Sequence, residues 1–132
     1  MSALIGEIIM KRDLNLVREI LLWASNQKDA KIHANPEIDG YSEEQIYYHI
    51  HIMAQAGLVF SWESTEISKN PQVMLVSITW AGHDFLDATR DDALWKRAIK
   101  ILNKEGVSFT FEIVKDWLRE NTPEIPPIPP IF

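Results

Sequence analysis

One helix with both ends marked, followed at once by two strands, constrains this sequence most. Ser42 and Gln45 fit a capping box, and Gly57 fits the left-handed position after a helix C-terminus. Between these marks an apolar stripe recurs at helical spacing, at Ile46, Ile50 and Met53. Two apolar runs follow, residues 58–62 and 73–79, separated by a turn-rich connector that contains Asn-Pro. The segment therefore predicts a helix that leads into a β-hairpin.

Helical periodicity also marks the chain on both sides of this segment. Asp13 is expected to cap a first helix over about residues 13–26, whose apolar face comprises Leu14, Val17, Ile20, Leu21 and Ala24. Thr79 is expected to cap a helix whose inward residues are Ala81, Phe85, Leu86 and Ala88. A helix over about residues 91–104 buries Leu94, Trp95, Ala98, Ile99 and Leu102. A last helix, to about residue 121, buries Phe111, Val114, Trp117 and Leu118.

The order of these elements is that of a winged-helix domain, with residues 42–56 at the place of a DNA-recognition helix and the hairpin as the wing. Residues 27–41 contain Pro36 and Gly40 and predict a loop with a short strand around Ile32. They carry too few helix signals to supply the helix that precedes a recognition helix. We predict an α+β, mostly helical, winged-helix-like domain over residues 10–121, with an N-terminal extension (1–9) and a proline-rich tail (122–132).

Three separated motifs, in this order, resemble one bacterial protein family. They read MKRDLNLVREILL at residues 10–22, GYSEEQIYYH at 40–49 and TWAGHDFLD at 79–87. The resemblance covers about residues 10–120, and the family is a phage- and prophage-associated domain of unknown function, number twenty-five thirteen. It implies a phage or prophage origin and a winged-helix-like fold, and it brings no known activity. The N-terminal extension and the proline-rich tail lie outside it.

Charge is distributed unevenly along the chain. The 132 residues carry a formal net charge of −6, and residues 32–68 hold six carboxylates with no Lys or Arg. DNA affinity comes largely from Lys and Arg that neutralise phosphates, so an acidic helix at residues 42–56 disfavours DNA reading. We expect its outward side to be a protein-binding surface formed by Glu43, Glu44, Tyr47, Tyr48, His51 and Gln55. Alternatively, Tyr48 or Ile52 packs under the N-terminal extension or the tail.

One helical face carries four positive charges, at Lys96, Arg97, Lys100 and Lys104. The plain interpretation is a solvated face opposite the apolar stripe of the same helix. The functional alternative is a contact with phosphates or with an acidic partner. In a DNA-binding regulator these four residues would be the nucleic-acid contacts.

The sequence offers little for catalysis or metal binding. It contains no cysteine, no phosphate-binding glycine loop and no Gly-x-Ser-x-Gly motif. His49 and His51 point about 200° apart on a helix, so one ion cannot bind both. We expect His49 to be hydrogen-bonded at the edge of the core and His51 to point outward. An acidic group at a helix junction, Asp84, Asp87, Asp91 and Asp92, fits helix capping and solvation. We therefore expect no metal, no cofactor and no enzymatic activity.

The two termini leave alternatives open. The tail has five prolines in its last eleven residues and predicts extended, polyproline-like chain that either wraps its own domain or docks on a partner. Near the other end, a homodimer contact is an equally open interpretation of Leu4, Ile5, Ile8 and Ile9. No uncharged apolar run approaches the roughly 18 residues of a membrane helix, and no leader pattern precedes the first helix. We expect a cytoplasmic protein with no membrane contact.

Three functional hypotheses remain. The first is a small, non-enzymatic regulatory or adaptor protein of phage or prophage type that binds a host or phage protein through the acidic helix. The second is a winged-helix transcriptional regulator that dimerises through its terminal segments and binds DNA. The third is an acidic inhibitor that imitates nucleic acid and blocks a basic host protein. The sequence identifies neither the partner nor the oligomeric state.

Overall fold

The computed structural model describes residues 10–64, 72–104 and 111–122, apart from the side chains of residues 103, 104, 111 and 112. Helices dominate and the two strands form one antiparallel pair, which confirms the α+β, mostly helical class. The elements are α1 (Leu14–Ser25), α2 (Glu43–Gln55), β1 (Val59–Ser64), β2 (Gln72–Ile78), α3 (Trp80–Ala88), α4 (Asp92–Lys104) and α5 (Phe111–Asn121). The chain divides into two compact units, Met1–Asp87 and Ala88–Phe132. The single domain expected over residues 10–121 stays a prediction.

Helix α1 begins at the predicted cap. One oxygen of the Asp13 carboxylate accepts hydrogen bonds from the backbone N–H groups of Asn15 and Leu16, at 2.9 and 3.3 Å. These bonds satisfy two of the donors that a helix N-terminus leaves free. The predicted apolar face is buried in full, and it is joined by Leu16 and the mostly aliphatic side chain of Arg18.

Helix α2 has both of its predicted ends. The Ser42 hydroxyl accepts from the backbone of Gln45, and the Gln45 side chain accepts from the backbone of Ser42. At the other end Gly57 adopts a φ of +78°, a left-handed conformation that side chains with a Cβ rarely tolerate. The apolar stripe Ile46, Ile50 and Met53 is buried against α1 and the two strands. The predicted capping box and apolar stripe are confirmed.

The hairpin pairs β1 and β2 in antiparallel register, from Val59 opposite Ile78 to Ser64 opposite Gln72. The pairing shifts by one residue between Phe60 and Ser61, because β2 has an extra residue, Val76, between their partners Ser77 and Leu75. Val73 and Leu75 point into the core. The predicted hairpin is therefore confirmed, and its connector, residues 65–71, lies outside the described residues.

Residues 27–41 form a loop without a helix or a regular strand, so the short strand expected around Ile32 was wrong. His33 has a φ of +50°, which interrupts the extended backbone that a strand needs. The loop nevertheless follows β2, because the N–H groups of Ile32 and Ala34 donate to Val76 and Leu75. Next along the chain, the Asn35 side-chain amide donates to the Val73 carbonyl and accepts from the Leu75 N–H.

A close contact joins the hairpin to α3. The Thr79 hydroxyl donates to the Gly57 carbonyl and accepts from the Gly82 N–H, so it caps α3 as predicted. A Cβ on Gly82 would lie 2.1 Å from the Leu58 carbonyl oxygen, which explains a glycine inside this helix. Phe85 is buried with Leu86, as expected. The inward placement of Ala81 was wrong: it is exposed, because the helix turns Gly82 toward the hairpin instead.

The first unit thus has the winged-helix-like order of α1, an extended loop, α2, the hairpin and α3, and it lacks a helix between α1 and α2. In the second unit Asp91 caps α4 by accepting from the Leu94 N–H at 3.0 Å. Among the described side chains of this unit's two helices, the buried ones are Leu94, Trp95, Ala98, Leu102, Val114 and Leu118. Ile99 and Trp117, also expected inside, are half-buried. The Phe111 side chain lies outside the described residues.

No helix in the described part of the chain is long and apolar enough to cross a membrane. The proposed dimer residues Leu4, Ile5, Ile8 and Ile9 and the proline-rich tail fall outside the described residues. The expectations for these segments therefore stay predictions.

Candidate functional site

The structure places the six predicted protein-binding residues on one side of α2. At 3.6 residues per turn they fall within an arc of about 140°. We call them the acidic α2 face: Glu43, Glu44, Tyr47, Tyr48, His51 and Gln55. The two glutamates and Gln55 are exposed, whereas the two tyrosines and His51 are half-buried. The opposite side of the helix is buried, so α2 itself orients this face toward solvent.

One residue of the acidic α2 face, His51, also connects the helix to the hairpin. His51 Nδ1 lies 2.6 Å from Glu63 Oε1 on β1, and the other Glu63 oxygen accepts from the Ser61 hydroxyl at 3.0 Å. The Gln55 amide nitrogen lies 3.3 Å from the second ring nitrogen of His51. His51 points outward as expected, and its contact with Glu63 fixes the C-terminal half of the face against the hairpin.

His49 has the environment expected of a core-edge histidine. Its exposed fraction is 2%. Nε2 accepts the Asp13 backbone N–H at 2.8 Å, so the ring proton resides on Nδ1, which donates to the Gln45 carbonyl at 2.8 Å. Burial lowers the pKa of His49 by penalising the charged ring. Nε2 joins the start of α1 to α2 and Nδ1 bonds within α2, which leaves neither nitrogen for a metal.

The other side of the Asp13 carboxylate holds the loop before α2. The Tyr41 hydroxyl donates to Asp13 Oδ2 at 3.0 Å. Burial raises the pKa of Tyr41, and the nearby charges of Asp13 and Glu19 raise it further, so the hydroxyl remains a donor. Asp13 therefore joins the start of α1, the loop and, through its backbone, the middle of α2.

The predicted basic stripe lies on the solvent side of α4. Lys96 Nζ is 3.0 Å from Asp92 Oδ2, one helical turn earlier. The Arg97 guanidinium lies over the Trp117 ring of α5, 5.8 Å from the centroid. Lys100 is exposed, and the side chain of Lys104 lies outside the described residues. Two of the four cations thus have partners within their own unit.

The four aspartates near the end of α3 and the start of α4 do not act as one group. Asp91 caps α4 and Asp92 pairs with Lys96. Asp84 and Asp87 are exposed on α3. Among the described residues no three or more His, Cys, Asp or Glu side chains come together in a group able to hold a metal ion.

A model of the family described as Hypothetical protein (DUF2513) matches residues 11–108. The chain belongs to this family. It is also similar to an "Uncharacterized protein" of Haemophilus influenzae (strain ATCC 51907 / DSM 11121 / KW20 / Rd), with 28% identity over 109 residues. That alignment covers 80% of this chain and 90% of the relative. No solved structure matches. The family resemblance is confirmed.

The DUF2513 resemblance rests on residues that stabilise junctions. The motif at residues 10–22 contains Asp13, which caps α1 and contacts α2 through its backbone. The motif at 40–49 contains the capping box and His49. The motif at 79–87 contains Thr79 and Gly82, which bring α3 against the hairpin. Each of the three motifs therefore contains residues that stabilise the fold. The acidic α2 face shares residues only with the second motif.

Sequence reasoning missed three exposed aromatic side chains of the DUF2513 domain. Phe60 and Trp62 on β1 are 62% and 51% exposed, and Trp80 at the start of α3 is 86% exposed. The alternation of β1 was a usable signal, because neighbouring residues of a strand point to opposite faces. The extra residue of the bulge, Val76, lies on β2, so β1 keeps its alternation and Phe60 and Trp62 point to the same side. Exposed aromatic rings are enriched at protein interfaces.

Proposed function

We propose that this DUF2513 protein is a small, non-enzymatic regulatory or adaptor protein of phage or prophage type that binds a protein partner through the acidic α2 face. The observation that carries the proposal is the gathering of six polar and aromatic residues on one side of a helix that is fixed at both ends. No Lys or Arg occurs between residues 32 and 64 to neutralise it.

The composition of the face suits a protein interface. Tyr47 and Tyr48 offer broad, half-buried rings, and tyrosine is among the residues enriched where binding energy concentrates. Glu43 and Glu44 lie at one end, where exposed charges steer association and select a partner with basic groups. The capping box and the His51–Glu63 contact hold the face before binding, which lowers the entropy cost of association.

The same charges count against DNA reading by α2. The first turn of the helix carries Glu43 and Glu44, and phosphates would be repelled there. The alternative of a DNA-binding regulator therefore depends on the α4 stripe, where Lys96 is already paired with Asp92.

The proposal is tested by site-specific photo-crosslinking in the host cell. A photoreactive phenylalanine analogue replaces Tyr47 in one variant and Lys100 in a matched control on α4. We expect Tyr47 to give a discrete crosslink to one protein, and we expect Glu43→Lys/Glu44→Lys to abolish it. Crosslinks from the Lys100 position that survive this charge reversal would contradict the proposal.

A titration with a labelled, mixed-sequence duplex across low to moderate salt decides the alternative. We expect no binding by the wild type. Micromolar binding that weakens with salt and is lost in Lys96→Glu/Lys100→Glu would support a DNA-binding regulator instead. If the crosslinked partner is a nucleic-acid-binding protein that releases its nucleic acid on binding, the protein is an acidic inhibitor.

A further inference from the structure

A cleft of about 600 Å³ opens between α1 and the loop that precedes α2. Its α1 wall includes Glu19, Leu22 and Trp23, which lie on one side of the helix because they are three and four residues apart. The loop contributes Ile38 and Tyr41. The cleft thus combines apolar and aromatic surface, and its volume is in the range of sites that bind small molecules or short peptide segments.

The charged side chains that line this cleft are all negative. Its lining contains the carboxylates of Glu19, Glu37 and Asp39 and no Lys, Arg or His. None of the three carboxylates forms an ion pair with another described residue. A cation that entered here would meet uncompensated negative charge beside aromatic rings.

Hydrogen bonds to residues outside the cleft hold its walls in place. Tyr41 is fixed by its hydrogen bond to Asp13, at 3.0 Å. The N-terminal side of the loop is fixed by Asn35, whose amide bonds to the backbone of β2. On the far side of Tyr41 the capping box of Ser42 begins α2. The cleft is therefore formed before a ligand arrives, and it adjoins the first turn of α2, where the acidic α2 face starts.

We propose that this cleft binds an arginine side chain carried on a basic segment of the protein partner. A guanidinium stacks on the faces of Trp and Tyr rings, here Trp23 and Tyr41. Its five donors match carboxylates in pairs, and its aliphatic stem can lie along Leu22 and Ile38. Lysine offers neither the planar stacking nor the paired donors, so arginine is favoured. The inference rests on the proposed function, since it names the chemistry of that partner.

The test is an NMR titration of the full chain with three capped peptides at low salt. The first is Ac-Gly-Arg-Gly-Arg-Gly-NH2, the second carries lysine at both arginine positions, and the third carries citrulline, a neutral isostere. We expect the arginine peptide to shift the Trp23 indole N–H and the Ile38 amide. We expect the lysine peptide to bind more weakly and the citrulline peptide to leave these resonances unchanged.

Two matched variants locate the site. Glu37→Gln/Asp39→Asn removes two charges from the cleft, and Glu43→Gln/Glu44→Gln removes two from the neighbouring α2 face. We expect the first pair to weaken arginine-peptide binding about tenfold and the second to change it less than about twofold. Equal weakening by both pairs would overturn the inference, because it would mean diffuse attraction to the net charge.

The outcomes also separate this inference from the proposed function. Shifts confined to Tyr47 and Tyr48 would overturn the cleft while leaving the acidic α2 face as the binding surface. Equal binding of the lysine and arginine peptides would overturn the selectivity for a guanidinium. Cleft binding of arginine in a protein whose Tyr47 position crosslinks to no partner would retain the site and reject the adaptor function.

Discussion

Helices α2 and α4 have the same length, 13 residues, and each buries one apolar side and exposes one charged side. Their charges are opposite: α2 exposes Glu43 and Glu44, whereas α4 exposes lysines. They also differ in how they are held. α2 is attached through a buried histidine that bonds to α1 and a half-buried one that bonds to β1. In the described part of α4 the buried side chains are aliphatic apart from the indole of Trp95.

Amphipathic periodicity alone therefore does not predict how specifically a helix is held. A helix held by apolar packing, as α4 is, tolerates substitution of its exposed residues, because water replaces the contacts that those side chains made. The attachment of α2 depends on a few polar contacts. When one partner of such a contact is removed, the other is left without a hydrogen bond.

The largest effect is expected from His49→Leu on α2. The substitution leaves the partly buried Asp13 N–H without its acceptor, and we expect the free energy of unfolding to fall by about 2–3 kcal/mol. Urea denaturation followed by circular dichroism measures it. Lys100→Ala on α4 is the matched control and should stay within about 0.5 kcal/mol. Equal effects of the two substitutions would remove the contrast between the helices.

The second effect is a dependence of stability on pH. The pKa of His49 is lowered in the folded protein, so between this value and about 6.5 the unfolded chain binds more protons. The stabilisation is complete above about pH 6.5 and decreases as the pH falls toward the folded pKa, with a slope of at most about 1.4 kcal/mol per pH unit. Urea denaturation at pH 7.5, 6.5 and 5.5 measures the slope. His49→Gln should flatten it, and parallel curves would show that other groups cause it.

The third prediction concerns the two helix caps, where we expect the helices to behave alike. Ser42 caps α2 and Asp91 caps α4, each by accepting a backbone N–H of the first turn. Ser42→Ala and Asp91→Ala should each lower the free energy of unfolding by about 1 kcal/mol. Thermal and urea denaturation measure both. A much larger loss for Ser42→Ala would mean that the cap also supports the loop contacts of Tyr41.

The smallest effects are expected on the exposed side of α4. Arg97→Ala removes a stacking contact with Trp117 and should cost about 0.5–1 kcal/mol. Lys96→Ala removes an exposed pair with Asp92 and should cost less than about 0.5 kcal/mol, with a smaller effect at high salt. Denaturation at 0.05 and 1 M NaCl separates the two. A salt-independent cost for Lys96→Ala would contradict a purely electrostatic pair.

Local signals were sufficient for most of the fold. The caps Asp13, Ser42 and Thr79 each act on neighbours two or three residues away, so the sequence contained both partners. Sequence periodicity failed at Ala81, because the backbone contact of Gly82 with the distant Leu58 sets the rotation of α3. Such close approaches depend on residues far apart in the chain.

The candidate site was predicted unevenly for the same reason. The acidic α2 face follows from helical spacing and was placed on one side of α2 as expected. The cleft beside α1 brings Trp23 together with Ile38 and Tyr41, across a loop without regular structure. The position of Tyr41 depends on its hydrogen bond to Asp13, which lies 28 residues earlier in the chain. No local sequence pattern predicts such a bond.

Asn35 has a consequence for association between molecules. Its side-chain amide occupies a donor and an acceptor of β2 that a further strand would use, and Ile32 and Ala34 occupy neighbouring carbonyls. Unpaired strand edges are where sheets of different molecules join and polymerise. A strand of another molecule therefore cannot pair with this edge of β2. A second molecule that extended this sheet would have to add its strand beside β1.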